Sequence, residues 1–159
     1  MRGHQVLRTT IAGIVLAGVV AVGAVSAQAP MNAADAITAR QKLMKEQGAA
    51  MKTISDSLKA GQLDPVPAAA EKLVTTARRI PTLFPEGSVD PNNSRAKPEI
   101  WQQWPEFEGN AKRLESKAAQ LAMTAKGGDA QATATAARDL GRTTCAACHD
   151  TFRGPELKK

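Results

Sequence analysis

The spacing of the apolar residues constrains the fold of this chain more than any other feature of its sequence. Four stretches place apolar residues at alternating three- and four-residue steps, which is the period of an amphipathic helix. The first runs from about Ala33 to Ala60 and carries a seven-residue repeat of Ile37, Met44, Met51 and Leu58, flanked by Leu43 and Ile54. No stretch alternates polar and apolar residues as a half-buried strand does. The pattern therefore predicts an all-α chain.

Glycine, proline and capping residues indicate where the first two helices begin and end. Gly61 follows the first helix as a C-cap glycine would, and Asp64 before Pro65 is typical of a helix N-terminus. Pro81 ends the second helix. The segment 81–97 is rich in Pro, Asn, Ser and Gly, so it predicts an irregular crossover that is longer than most connections in a compact domain.

The second half of the chain predicts two further helices. A proline inside a helix removes a backbone donor, so Pro105 predicts that residues 99–103 form a short turn before the main third helix. Gly127-Gly128 ends that helix, and Asp129 caps a fourth helix that is expected to run to Gly154-Pro155. Two short links and one long crossover between the second and third helices together predict an antiparallel four-helix bundle.

The first 27 residues predict a secretory signal peptide. Arg2 and Arg8 make the start basic, residues 11–25 are an unbroken run of apolar residues and glycine, and Val25-Ser26-Ala27 is a typical cleavage pattern, with cleavage after Ala29 as a variant. The apolar run is shorter than the roughly 20 residues that a membrane-spanning helix needs, which disfavours an anchor. We therefore expect a signal peptide over 1–27, one domain over 28–159, and no stable membrane insertion after cleavage.

The charge and the aromatic content of the chain limit its partners and its core. Loss of Arg2 and Arg8 with the signal peptide lowers the 21 basic residues to 19, against 15 acidic ones, so the net charge falls from +6 to +4. The basic residues are scattered, which argues against a nucleic-acid surface. Three Phe, two Trp and no Tyr leave a thin core for this length, and a bulky apolar cofactor would supply the missing volume.

Both cysteines and the only histidine of the expected mature chain lie together in Cys145-Ala-Ala-Cys148-His149. This spacing is typical of covalent c-type haem attachment. On a helix, residues three and four apart share a face, so both thiols can reach the two vinyl groups on one porphyrin edge, and His149 can approach the iron. We therefore expect one covalent haem c, bound through Cys145 and Cys148, with His149 as the proximal ligand.

Three other uses of the motif are less consistent with the sequence. An exported chain permits a disulfide between Cys145 and Cys148, but that bond would join adjacent turns of one helix and constrain little. A zinc site would need a fourth ligand, and the mature chain has no further Cys or His. A thioredoxin-like redox pair would need a βαβ setting, which the helical pattern does not provide.

Over about residues 33–153 the sequence resembles the class II c-type cytochromes, which are cytochrome c′ and its low-spin relatives of the cytochrome c-556 type. The resemblance is carried by the attachment motif near the C-terminus, by Arg40-Gln-Lys-Leu-Met-Lys45, and by Lys97-Pro-Glu-Ile-Trp101 before the third helix. It implies a four-helix bundle. Pro105 and the tail after Arg153 depart from the family pattern.

The resemblance also implies roles for three more side chains. In this family the residue four after the arginine of the first helix lies over the distal face of the haem, and here it is Met44. From the residues alone Met44 can either fill the core or bind iron as a sixth ligand through its thioether; the resemblance, with Gly48 one turn further on, favours ligation. Arg40 and Arg153 are expected to bind haem propionates, because a guanidinium matches a carboxylate, while a solvated surface position stays open for each.

These features together predict a periplasmic electron-transfer protein rather than an enzyme, with a periplasmic redox protein as its partner. The alternative is a five-coordinate cytochrome c′ that binds NO or CO at an open distal face crowded by Met44. A haem peroxidase is the weakest alternative, because the mature chain has no second histidine for distal acid-base chemistry. Cytochromes c′ often dimerise through their first two helices, so the resemblance allows a homodimer.

Overall fold

A computed structural model describes residues 31–157 of the chain. The predicted signal peptide, residues 1–27, lies outside the described residues. Among residues 31–157, no helix combines the length and the apolar character that crossing a membrane would require.

The described residues form an all-α fold, as the apolar period predicts. A 3-10 turn at Pro81–Leu83 follows the second helix, a π-helical turn at Gly141–Ala146 joins the last two, and residues 31–157 contain no strand beyond an isolated bridge between Ala96 and Arg153. The helices are α1 (Ala33–Lys59), α2 (Pro65–Arg79), α3 (Glu99–Gln102), α4 (Trp104–Lys126), α5 (Ala130–Leu140) and α6 (Ala147–Phe152). We call the segment from α5 through α6 the C-terminal arm. It completes a four-helix bundle with α1, α2 and α4.

Ion pairs between helices show their relative directions. Arg78 of α2 pairs with Glu115 of α4 at 2.7 Å, and Glu71 of α2 pairs with Lys126 of α4 at 2.6 Å. Residue numbers therefore rise along α2 as they fall along α4, so these two helices are antiparallel. Exposed pairs of this kind contribute little stability each, at most about 1 kcal/mol. The stability of the bundle comes instead from buried aliphatic side chains, the largest of which are Leu43, Ile54, Val66, Leu73, Ile100, Leu121 and Leu140.

The predicted helix ends are confirmed at most positions because they depend on local backbone chemistry. Gly61 has a φ of +69°, and the Gln62 N–H donates to the Ser57 carbonyl at 2.9 Å, which closes α1 in the left-handed cap that glycine favours. The Asp129 carboxylate accepts from the Ala132 N–H at 2.8 Å and caps α5. Asp64 stands at the N-cap position of α2 as predicted, but its side chain does not cap the helix. Asp64 has helical dihedral angles and its side chain makes no cap bond, so Pro65 alone provides the start signal for α2.

The crossover between α2 and α4 is long and irregular, as predicted, and α3 is the short turn expected before Pro105. The Trp101 indole N–H donates to the carbonyls of Phe84 and Pro85, at 3.1 and 3.2 Å. This side chain therefore ties α3 to the early part of the crossover.

The fourth helix is not uniform, which corrects the prediction of a regular helix from Asp129 to Gly154. The hydroxyl of Thr143 donates to the Asp139 carbonyl at 2.9 Å, and that of Thr144 donates to the Leu140 carbonyl at 2.6 Å. These carbonyls are the ones to which the N–H groups four residues later would donate in an α-helix. Competition from the two hydroxyls is consistent with the wider π-helical turn at this point.

Candidate haem site

A cavity of about 620 Å³ lies between α1, the crossover, α4 and the C-terminal arm. Its volume is typical of sites that enclose a small molecule or a cofactor. Cys145, Cys148 and His149 line it from the C-terminal arm, and Met44 lines it from α1. The structure therefore brings the attachment motif and the predicted distal residue to one cavity, although they lie about a hundred residues apart in the sequence.

The two cysteines of the motif occupy different kinds of helix. Cys145 lies in the π-helical turn and Cys148 lies in α6, so the simple α-helical spacing assumed from the sequence does not describe the pair. Both are free thiols and half-buried. Burial raises the pKa of both thiols, and for Cys148, with Cys145 and Glu106 adding to the effect, the pKa reaches about 11. At neutral pH both are uncharged, so a thioether can replace them without a change of buried charge.

His149 has the properties that a metal ligand needs. Burial lowers the pKa of this half-buried side chain, and the nearby Arg153 and Arg95 lower it further, against a smaller opposite effect of Asp150. The imidazole is therefore neutral at pH 7, which leaves a nitrogen lone pair free to bind a metal ion.

Met44 and Leu43 are adjacent in α1 but have different surroundings. Leu43 is 1% exposed and belongs to the core, whereas Met44 is half-buried and lines the cavity together with Met51, one heptad further on. Gly48 also lines the cavity, and a Cβ atom placed on it would meet no atom within 4 Å. This part of α1 therefore presents a thioether beside open space.

Arg40 is a buried cation. It is only 3% exposed, which excludes the surface position that the sequence left open for it. Its guanidinium donates to the Ser88 hydroxyl (2.9 Å), the Ser88 carbonyl (2.7 Å) and the Ser94 hydroxyl (2.6 Å), and it lies 4.8 Å from the centroid of the Phe84 ring. All of these partners are neutral, and no acidic side chain of residues 31–157 forms an ion pair with Arg40.

A buried charge without a counter-ion is unfavourable. Burial accordingly lowers the pKa of Arg40. Since Arg40 also lines the cavity, an anionic group bound there would compensate its charge. The cavity therefore combines apolar walls with a cation that lacks an anion.

Arg153 lies at the mouth of the cavity, just past the end of the last helix, although the sequence predicts that this helix continues to Gly154. The helix α6 ends at Phe152, and Arg153 follows in extended conformation with φ −108° and ψ 123°. Its exposed side chain lines the cavity, as do those of Lys45 and Arg95. With Arg40, four basic residues line this cavity and no acidic residue of the described range 31–157 does, so its mouth favours carboxylate groups.

Three residues of the site have no counterpart in the sequence predictions. Phe107 is 3% exposed, lines the cavity and contacts Phe84 and Phe152, with ring centroids 4.8 and 5.4 Å away. Ser88 and Ser94 hold Arg40, and no sequence signal distinguishes them, because loop residues follow no apolar period.

The residues that line the cavity fit a haem c. A porphyrin is a flat apolar ring with two carboxylates at one edge. The apolar walls suit the ring, the basic mouth suits the carboxylates, and the free thiols of Cys145 and Cys148 suit thioether attachment. His149 would hold the iron, which would supply reversible one-electron chemistry.

Comparison with known proteins agrees with this reading of the cavity. The sequence profile of the family described as Cytochrome C′ matches residues 35–153. A cytochrome c-556 from Agrobacterium tumefaciens (strain B2A) is 35% identical over 123 residues, which are 76% of this chain and 95% of that protein. A cytochrome c′ from Pararhodospirillum photometricum is 35% identical over 118 residues, which are 72% of this chain and 92% of that protein.

Solved structures show the same architecture. The crystal structure of cytochrome c′ from Thermochromatium tepidum is 30% identical, with a TM-score of 0.72 over 80% of this chain and 100% of that one. Another cytochrome c′, described as having a ligand-controlled dimer dissociation, is 28% identical, with a TM-score of 0.72 and the same coverage. Covalent haem c is the cofactor that these relationships imply, and the Cys-x-x-Cys-His motif at residues 145–149 fits its attachment. The chain therefore belongs to the cytochrome c′ family, the class II c-type cytochromes.

Proposed function

We propose that this protein is a one-electron carrier in which His149 and Met44 are the two axial ligands of the haem iron. One observation carries the proposal: Met44 lines the same cavity as His149, from α1, while its neighbour Leu43 fills the core. A thioether is a soft ligand, and His/Met ligation raises the reduction potential of a haem. With both axial positions occupied by protein, electron exchange with a partner protein is the function that this arrangement supports.

The other cavity residues support the same role through their charge and polarity. The apolar side chains of Phe84, Phe107 and Phe152 exclude water from the cavity walls. Arg40 is placed to bind one propionate, because it is a buried cation without an anionic partner in the described part of the chain. Arg153 is placed to bind a propionate from the exposed mouth.

The alternative function is that of a five-coordinate cytochrome c′ that binds NO or CO. The similarity to a cytochrome c′ is the observation that favours it, because that protein is as similar to this chain (35% identical) as the cytochrome c-556 is. In that case Met44 would only crowd the distal side. The two proposed functions differ in whether the Met44 sulfur binds iron: the carrier has this bond and the gas-binding protein does not.

Spectroscopy of the purified holoprotein distinguishes them. If Met44 binds iron, the ferric protein is low-spin, shows the weak near-infrared band of a methionine–iron bond, and binds CO slowly in the ferrous state, because the methionine must leave first. Met44→Ala then produces a high-spin haem, faster CO binding and a lower reduction potential. Met51→Ala is the matched control, since Met51 lines the same cavity one heptad away and is expected to leave the spin state unchanged. A high-spin ferric wild type would refute ligation and support gas binding.

We further propose that residues 1–27 are a cleaved signal peptide and that the protein functions in the periplasm with a redox protein as partner. Covalent attachment of haem to c-type apoproteins takes place outside the cytoplasm, which supports export. Mass spectrometry of protein from the native host is expected to find Gln28 at the N-terminus, or Pro30 if the later site is used. An intact Met1 on membrane-bound protein would contradict cleavage.

A homodimer is the assembly that the family relationship suggests. A cytochrome c′ of the same fold is described as having a ligand-controlled dimer dissociation. Sedimentation velocity of the ferrous protein with and without CO tests this proposal directly. A dimer that dissociates on CO binding would support it, and a monomer at all concentrations would contradict it.

A further inference from the structure

The crossover residue Ser94 belongs to the polar end of the cavity. It is 7% exposed and lines the cavity beside Arg40. Its hydroxyl oxygen accepts two hydrogen bonds, one from Arg40 Nη2 at 2.6 Å and one from the backbone N–H of Ala96 at 3.2 Å. Both partners can only donate, so their roles in these bonds are unambiguous.

The hydroxyl proton of Ser94 has no acceptor among the hydrogen bonds of residues 31–157. A serine hydroxyl offers one proton and two acceptor positions, and both acceptor positions are taken. The proton must therefore lie away from Arg40 and Ala96. A buried donor normally finds an acceptor, so this one indicates that a group is expected in the cavity.

Arg40, which also lines the cavity, has further N–H groups without an acceptor among the hydrogen bonds of residues 31–157. A guanidinium carries five N–H groups, and three of them are used: one on Nη1 and two on Nη2. The Nε–H and the second Nη1–H remain. The cluster thus offers three protons and one uncompensated positive charge. A carboxylate, with two oxygens and one negative charge, satisfies these requirements.

We propose that the Ser94 hydroxyl donates a hydrogen bond to the same haem propionate that Arg40 binds, so that the crossover is part of the haem site. The inference rests on the proposed pairing of Arg40 with a propionate. Ser88 differs from Ser94 in a useful way: it is fully buried and holds Arg40 through its hydroxyl and its carbonyl, but it does not line the cavity. Ser88 therefore acts on the propionate only through Arg40.

Resonance Raman spectroscopy of the covalently loaded holoproteins tests this assignment, because the propionate bending band shifts with hydrogen bonding. Ser94→Ala is expected to shift the position of this band. Ser94→Thr is expected to restore the wild-type position, because the hydroxyl returns. Ser88→Ala is expected to shift the band less than Ser94→Ala does. An unshifted band in Ser94→Ala would overturn the proposal. An equal shift in Ser88→Ala would also overturn it, since Ser94 would then act only by holding Arg40.

If the Ser94→Ala holoprotein cannot be produced, a measurement on the wild-type protein tests whether Ser94 lies beside the propionate. In the diamagnetic ferrous–CO form, the β protons of Ser94 are expected to show nuclear Overhauser contacts with the propionate methylene protons. Absence of these contacts in a fully assigned spectrum would refute the assignment. Failure of the proposed function is distinguishable, because the spin state reports Met44 ligation and the protein mass reports covalent haem.

Discussion

Replacement of Arg40 by leucine tests whether the polar end of the haem site contributes to the stability of the whole bundle. Leucine keeps much of the apolar stem but removes the charge and the three hydrogen bonds to Ser88 and Ser94, which lie 48 and 54 residues away in the sequence. The Ser88 carbonyl and hydroxyl then lose their donor, and the Ser94 hydroxyl keeps only the N–H of Ala96. Among the hydrogen bonds of residues 31–157, the one from the Gln41 side chain to the Asn93 carbonyl remains between the crossover and this turn of α1.

The expected loss of stability is about 3–5 kcal/mol. Hydrogen bonds from a charged donor contribute roughly 1.5–3 kcal/mol each and are not additive, and loss of the donor also leaves the buried Ser88 carbonyl unpaired, at a cost of about 1–3 kcal/mol. For a mature chain of this length, that free energy corresponds to a fall in melting temperature of roughly 10 °C or more. Arg40→Lys keeps the charge but not the planar fork, so we expect an intermediate loss.

Guanidinium chloride unfolding of the holoprotein, followed by circular dichroism at the helical minimum, measures this difference. Arg78→Leu is the matched control, because the Arg78 side chain is 65% exposed and its pairing with Glu115 is worth at most about 1 kcal/mol. If Arg40→Leu lowers the free energy of unfolding no more than Arg78→Leu does, the hydrogen bonds from Arg40 to Ser88 and Ser94 do not stabilise the bundle.

Three further predictions concern the cofactor, the cavity and the helix caps. Replacement of both motif cysteines by alanine is expected to abolish covalent haem, so that the protein mass no longer includes it and any remaining haem extracts into acidic acetone. Gly48→Leu fills the space beside the cavity and is expected to lower haem incorporation without loss of helicity, whereas Gly109→Leu, in the same helical setting away from the cavity, leaves incorporation unchanged. Asp129→Ala removes a cap bond and is expected to cost about 1 kcal/mol in urea unfolding, whereas Asp64→Ala, which removes no such bond, costs close to zero.

The parts of the fold that the sequence predicts are those that depend only on residues close together in the chain. Gly61 and Gly128 adopt positive φ values of 69° and 78°, which few other residues tolerate, so their positions indicate helix ends directly. The break before Pro105 depends in the same way on a missing backbone donor. The π-helical turn at Gly141–Ala146 is different, because threonine hydroxyls bond the carbonyl four residues earlier in uninterrupted helix as well, for example at Thr53 and Thr75, so threonines do not mark it in the sequence. The apolar period does not mark it either.

The same distinction between local and distant causes applies to the residues of the haem site. The attachment motif is contiguous, so the sequence predicts it completely, and the distal position of Met44, four residues after Arg40, is predicted from the resemblance to the family. The burial of Arg40 could not be predicted, because its partners come from a crossover about fifty residues away. A buried arginine and a surface arginine look alike in the sequence until the loop that covers one of them is known.

The residues that would hold the haem and the residues that would tune it lie on different elements of the fold. A single substitution could therefore change the chemistry without loss of the cofactor. Two thioethers and His149 would retain the haem from the C-terminal arm, so the residues of α1 and the crossover need not contribute to retention. In the proposed arrangement their contribution would be to the electronic state of the haem: Met44 would decide the sixth coordination position, and Arg40 with Ser94 would hold a propionate. If the protein is the carrier proposed above, removal of Met44 would therefore convert it into a ligand-binding haem protein, because Met44 takes no part in the attachment motif at residues 145–149 and is only partly buried.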